Sequence, residues 1–410
     1  MGSCAKLQTN GTQPYFLKNV PTRKGLLPPV YALFKNMKEG SLLSKRYHLE
    51  KIKVAMIVRS TLYTVPGGDT IQALQTARSL CTQGVNVDVK LTNEQIDYSG
   101  YHLLHFFNIT RPADILYHIR KTNLPFVVST ILINYSEYDK YHRRGVSGIL
   151  FRYLQADTIE YLKAISRWIL GRDRLMSLSY AWKGQKKSIH EIIKKAGLLL
   201  PNSRSEYIRL QEIYGCETNH IVVPNAVDCT LFKFNKDAEK DPKLVICIAR
   251  IEGIKNQLNL IRALNNTSYR LLIIGAPAPN QPGYYQMCRN EASSNVEFIE
   301  HIPQQDLVAY YQKAKVHVLP SWFETTGLSS LEAAAMGCNI VITDKGDTKE
   351  YFGNHAVYCS PASPESIYAA IEKASSLPSD EILRSKIAYS YTWRLAGQHT
   401  AEGYKKIINN

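Results

Sequence analysis

Short apolar runs alternate with longer segments whose apolar residues recur every three or four positions, and this alternation starts near residue 52 and continues to the C-terminus. "KVAMIVRS" (53 to 60) is a run of β-branched and large residues that predicts a buried strand; "TVPGGDT" follows as a glycine turn, and "IQALQTARSLCTQG" as a helix stopped by glycine. "VNVDVKL" is the next strand, so the chain opens as β-turn-α-β, the start of a doubly wound domain. Strands are expected again at "YHLLHFF" and "PFVVST", with the helix "PADILYHIRKT" between them. Residues 139 to 195 turn helical, basic and aromatic, and "AGLLLPNSRSEYIRLQEIYG" returns to strand and helix, with Asn202 or Ser203 as the cap. "NHIVVPNAVD" reads as the passage into a second domain, which repeats the alternation from "KLVICIAR" to "ESIYAAIEKASS". The expected organisation is an irregular extension over 1–50, a first α/β domain over 51–215, a second over 216–390, and a terminal helix over 391–410 packing back toward the first domain. Regular alternation implies parallel sheets, whose ligands sit at the carboxyl ends of strands. Two such domains leave a cleft between them.

Length supports this division, since 410 residues exceed one ordinary core. The longest apolar run, "LPFVVSTILIN" at 124 to 134, falls short of the roughly 18 residues of a membrane span. The opening "MGSCAK" has no hydroxyl residue at position 6 for a myristoylation signal, and no signal peptide is visible, so a cytoplasmic protein is expected. Eight cysteines without paired metal-ligand spacing are expected to be reduced thiols.

The net charge of +15 is concentrated: Lys+Arg minus Asp+Glu is 8−2 for residues 1 to 50, 8−6 for 51 to 138, 13−5 for 139 to 195 and 21−22 for 196 to 410. A basic first half attracts nucleic acid, anionic headgroups or a phosphorylated substrate. Within 139–195, Arg143, Arg144, Arg167, Arg172, Arg174, Lys183, Lys186 and Lys187 alternate with Trp168, Tyr180 and Trp182, which suits a peripheral position at the anionic inner face of a membrane. Binding to nucleic acid is not expected, because it leaves the neutral second half without a role.

Candidate chemistry gathers in the second half. "SWFETTGLSSLEAAAMG" (321 to 337) leads out of the strand "AKVHVLP" into a helix beginning near Gly327, with Glu324 in the loop and Glu332 one turn into the helix. Ser329 and Glu332 have capping-box spacing, which accounts for Glu332 as well as a ligand does; Glu324 has no such structural explanation. "ARIEGIKN" places Arg250 and Lys255 at a strand's carboxyl end, where the pair reads either as a solvated basic turn or as a clamp on a diphosphate. Thr325, Thr326, Gly327 and Leu328 run into a helix N-terminus, whose free amides favour phosphate. Gly67 and Gly68 precede a helix in the first domain and would let a ligand approach the backbone, or simply make a turn. His102 and His105 lie in or beside a strand and read as packed histidines. Neither a Walker loop nor a G-x-S-x-G elbow occurs, which argues against an ATPase or an esterase.

In this order, "VVPNAVD", "IARIEGIKNQ", "LLIIG", the long run "VEFIEHIPQQDLVAYYQKAKVHVLPSWFETTGLSSLEAAAMG" and the terminal "YTWRLAGQHTAEGYKKII" resemble the retaining glycosyltransferases of family 4. The resemblance runs from about residue 52 to the C-terminus and implies the GT-B architecture, two facing Rossmann-like domains. It implies that Glu324 contacts the donor sugar and Glu332 the nucleotide ribose, that Arg250 and Lys255 neutralise the donor diphosphate, and that Gly67 and Gly68 meet the phosphates from the acceptor side. The implied reaction moves a hexosyl unit from a nucleotide-diphosphate sugar, of GDP-mannose or UDP-hexose type, to a glycan or lipid-linked acceptor in cell-surface polysaccharide synthesis, without a metal. A non-catalytic nucleotide-sugar-binding partner of such an enzyme is the alternative, and the four intact charged residues speak against it. The chain departs from the family after the fourth strand, where "VVSTILINYSEYD" offers Asn134 or Tyr135 in place of a histidine, and after Glu324, where Thr325 and Thr326 stand for a glycine and an aromatic residue.

Overall fold

A computed structural model describes residues 52–143, 146–171, 174–215, 217–300 and 302–409. The expected extension over 1–50, together with Arg144 and Arg172, lies outside the described residues. The first sheet holds β1 (Lys53–Val58), β2 (Asn86–Leu91), β3 (Leu103–Phe107), β4 (Phe126–Ser129) and β5 (Leu198–Leu200) in the order β2-β1-β3-β4-β5. The second holds β6 (Asp241–Ile248), β7 (Arg270–Ile274), β8 (Val296–Ile299), β9 (Ala314–Leu319), β10 (Asn339–Thr343) and β11 (Val357–Cys359) in the order β11-β10-β9-β6-β7-β8. Every pairing is parallel, as the alternation required.

A parallel sheet is covered on both faces, so its strands read as unbroken apolar runs whose odd and even residues enter different cores. In the first sheet Val54, Met56, Val58 and Leu103 point into one core and Ala55, Ile57, Leu104 and Phe106 into the other. Helix Gly68–Thr82 covers the first of these faces together with helix Trp393–Ile408, which buries Ala396, Ala401 and Tyr404 there. His105 is a strut in this packing: its ring accepts or donates 2.7 Å from the Tyr404 hydroxyl and 2.9 Å from the Ser129 hydroxyl. Burial pulls its pKa down to about 3, so the ring is neutral.

The chain therefore crosses between lobes twice, outward before β6 and back at Tyr391 and Thr392. The crossings touch: the Val227 amide donates to the Tyr391 carbonyl at 2.9 Å, and Val227 pairs with Thr392 in a parallel bridge.

Two details differ from the reading of the sequence. β4 stops at Ser129 although "TILI" continues its apolar run, because Ile131 adopts φ +45, a strained state for a β-branched residue. The buried Glu206 carboxylate holds that bend, accepting from the Leu132 amide at 2.7 Å and the Asn202 amide at 2.9 Å. The described residues of 139–195 are helical in pieces: a π-helical turn Tyr138–His142, then helices Val146–Phe151, Ala156–Ile169 and Leu178–Lys195. Among the described residues no helix is long and apolar enough to cross a membrane.

Candidate functional site

The second sheet changes direction at β6, whose neighbours are β7 on one side and β9 on the other, so the loops after β6 and β9 meet at the switch point, where α/β folds bind ligands. From these loops Lys255 reaches Glu324, Nζ to Oε2 at 2.7 Å, and the Ser321 hydroxyl donates to the same oxygen at 3.2 Å. The backbone of Glu324 is clamped as well. Its amide donates to the Lys345 carbonyl at 3.1 Å, and its carbonyl accepts from the Asp347 amide at 3.0 Å. Between these partners Gly346 has φ +102, and a Cβ there would lie 2.1 Å from the Glu324 carbonyl oxygen. Asn256, itself left-handed at φ +60, fastens the β6 loop by donating its side-chain amide to Pro320 at 3.0 Å and Pro361 at 2.7 Å.

Across the cleft the glycine loop faces these residues. A Cβ on Gly67 would lie 3.7 Å from Arg250 Nη2, and one on Gly68 would lie 3.4 Å from Leu328 Cδ1. Arg250 also has Glu252 beside its Nε at 3.4 Å. Sequence reasoning missed Arg59, which shapes the loop from the end of β1. Its guanidinium forks onto Asp69 at 2.5 and 3.0 Å and donates to the Val65 carbonyl at 2.8 Å. The signal was an arginine leaving β1 followed by an aspartate just past the glycine pair, a fork and a carboxylate in reach of each other. Beside them the lobes share an apolar contact of Tyr138, Ile254 and Trp322. His142 stacks on Trp322 with centroids 3.4 Å apart, and Gly253 leaves room for the Tyr138 hydroxyl, which a Cβ would approach to 1.7 Å.

Other expected residues take different places. Gly327, at φ +73, is the N-cap of helix Leu328–Ala335, the start expected from the sequence, and this leaves Ser329 inside the first turn. The Ser329–Glu332 capping box therefore does not form. Glu332 instead accepts from Gln304 at 2.7 Å and from the Tyr311 hydroxyl at 2.8 Å, and burial raises its pKa to about 7. Each of its oxygens retains a second lone pair for a ligand hydroxyl. Thr326 is buried and accepts from the Asn225 amide at 3.1 Å, while Thr325 is half-buried. Asn134 closes a local turn onto Ser136 at 2.9 Å. Tyr135 lies in the cleft near Arg250 and Glu252, its hydroxyl pKa raised mainly by burial.

This arrangement agrees with what the chain resembles: residues 230–391 match the glycosyl transferases group 1 family. The match lies within the second lobe and covers about two fifths of the chain. The chain is 26% identical over 179 residues to the D-inositol 3-phosphate glycosyltransferase of Acidothermus cellulolyticus, a match covering 38% of this chain and 40% of that protein. The matched stretch thus spans well under two thirds of that relative's length. Among solved structures the chain is similar to sucrose-phosphate synthase from Thermosynechococcus elongatus, with TM-score 0.69 and 16% identity over 87% of this chain and 99% of that one. It is also similar to Anabaena HepE in complex with UDP and glucose, with TM-score 0.63 and 14% identity over 87% of this chain and 100% of that one. Both likenesses concern the fold, two Rossmann-like sheets in the GT-B arrangement.

Proposed function

We propose that the protein is a retaining hexosyltransferase that takes its sugar from a nucleotide diphosphate and transfers it to a glycan or lipid-linked acceptor. The observation that carries this reading is the Lys255–Glu324 pair at the carboxyl edge of the second sheet, with Arg250 beside it and the Gly67–Gly68 loop opposite. Departure of the nucleoside diphosphate builds negative charge on phosphate, and preorganised cations are the strongest lever on such a barrier. Arg250 forks onto the phosphates and Lys255 supplies a point charge. Lys255 then leaves Glu324 for the diphosphate, and the freed carboxylate takes the sugar hydroxyls. Glu332 accepts from the ribose with its remaining lone pairs, and the amides of Thr325, Thr326, Gly327 and Leu328 face the distal phosphate. Gly67 and Gly68 admit the phosphates because neither carries a side chain between Arg250 and the ligand. The UDP and glucose named with the Anabaena neighbour support a nucleotide sugar as donor. We place the reaction in cell-surface polysaccharide synthesis at the cytoplasmic side of a membrane, on the strength of the basic first half.

Two measurements test this reading. Thermal unfolding with UDP, GDP and ADP should show stabilisation by one of them, about 2.7 kcal/mol at roughly 100 times its Kd. With the matching nucleotide sugar, Glu324→Ala should lose turnover by more than about a hundredfold while nucleotide affinity stays nearly constant. Normal turnover in that variant would remove Glu324 from the reaction, and no stabilisation by any nucleotide would remove the donor.

A further inference from the structure

Ten of the fifteen large apolar side chains exposed among the described residues lie between Tyr141 and Trp182, about a tenth of the chain. Apolar surface concentrated in this way marks a contact face. Trp168, Ile169 and Leu170 form a consecutive exposed run at the end of helix Ala156–Ile169, in which Ile159 alone is buried. Gly184, at φ 70 and ψ −177, breaks helix Leu178–Lys195 and sets its first turns apart. Those turns carry Leu178 and Trp182 on one side, four residues apart, with Trp182 90% exposed. The Tyr161 hydroxyl donates to the Ala181 carbonyl at 2.8 Å and the Tyr161 and Tyr180 rings lie 5.5 Å apart, so the two helices stand side by side and their apolar ends share a face.

What covers that face is indicated by charge. Residues 139–195 carry 13 Lys+Arg against 5 Asp+Glu, and Arg167, Arg174, Lys183 and Lys186 are exposed around the apolar run. Arg111, Arg167 and Arg174 also line a small open pocket over Tyr180. Its two carboxylates, Asp114 and Glu160, pair with Arg111 and Lys163, each at 2.8 Å, so the lining stays net positive. A second copy of the same face would oppose these cations to themselves, whereas indoles and aliphatic tips ringed by cations fit the boundary between anionic headgroups and acyl chains.

We propose that the face formed by Trp168–Leu170 and Leu178–Trp182 docks on an anionic lipid surface, its tips at the acyl boundary and Arg167 and Arg174 on lipid phosphates. The proposal deepens the acceptor reading above and rests on it for the kind of partner. In the chain this face follows the π-helical turn Tyr138–His142, which meets the second lobe where Tyr138 lies against Gly253 and His142 stacks on Trp322.

The test is flotation of the full chain with phosphatidylcholine vesicles, with and without phosphatidylglycerol. Binding is expected only to the anionic vesicles. It should fall at least about tenfold on Arg167→Glu with Arg174→Glu at low salt, and vanish for the unsubstituted chain near 0.5 M salt, where charges are screened beyond about 3–5 Å. Ile169→Ser with Trp182→Ser should lower it at least about tenfold at low salt, with a loss of the Trp fluorescence shift on vesicle addition, because a buried apolar tip has been removed. Both pairs are exposed, so folding and nucleotide stabilisation should stay as they were. No binding to anionic vesicles at low salt overturns the proposal. So does binding that the apolar pair does not weaken, or self-association without lipid that the same pair abolishes. Vesicle binding without nucleotide binding would instead overturn the donor reading and leave this face standing.

Discussion

Glu324 and Glu332 sit on one loop and helix, yet their neighbours differ in kind: an ammonium 2.7 Å from the first, a phenol and an amide against the second. Neutral donors do not repay the burial of a carboxylate charge, which is why the Glu332 pKa climbs from 4.5 to about 7. An unfolded glutamate releases its proton near 4.5, so between that value and about 7 the folded chain binds the extra proton. The stability contributed by Glu332 is then fully present below pH 4.5 and falls as pH rises through 7. Glu332→Gln should remove that fall: melting temperatures of the variant and the unsubstituted protein should move closer together, or cross, between pH 5 and pH 8. For the cations, Arg250→Ala or Lys255→Ala should each cost about 1.5–3 kcal/mol in nucleoside diphosphate affinity by calorimetry, the range for hydrogen bonds to charged groups, and hardly change nucleoside affinity.

The turn that clamps Glu324 depends on a backbone state that only glycine adopts without strain. Gly346→Ala forces an L side chain into φ +102 and into the Glu324 carbonyl, so it should cost at least about 2 kcal/mol in denaturant melts and displace Glu324 enough to depress turnover. Gly353→Ala is the control, since φ is +52 but no atom lies within 4 Å of the added Cβ; about 1 kcal/mol is expected there. The same contrast explains what could be read from the chain. The strands were legible because a sheet buried on both faces demands an unbroken apolar run, as in "KVAMIV" and "NIVIT". Arg250, Lys255, Glu324 and the glycine loop were legible as candidates because each sits at the end of such a run. The end of β4 was not, since Ile131 is bent by Glu206 from far along the chain. Nor was the partner of Glu332: Gln304 and Tyr311 approach it from other elements, while local spacing favoured Ser329. Short polar helices such as Thr348–Phe352 and Glu381–Ser390 have too little apolar period to stand out from loop.

The two lobes meet through polar contacts around the cleft. Arg209 forks onto Asp347 at 2.7 and 2.9 Å, Glu350 accepts from the Arg204 and Ser205 amides at 2.8 and 3.0 Å, and Lys345 pairs with Glu137. Asp347 is buried, so Arg209→Ala leaves a buried carboxylate without its main cation. Small-angle scattering of that variant should show a larger radius of gyration, and its KM for the donor should rise. The Lys345–Glu137 pair is half exposed and should weaken with salt without opening the lobes by itself. What the lobes do once such contacts release follows from their double tether. Because Val227 is hydrogen-bonded to Tyr391, the outgoing and returning threads are sewn together at one seam rather than attached at separate corners. A body hung from one thread can spin, and one hung from two distant threads can scarcely move. Two threads joined along a short seam resemble the pin of a door, which confines any swing of the lobes to one arc that ends with Arg250 beside Gly67.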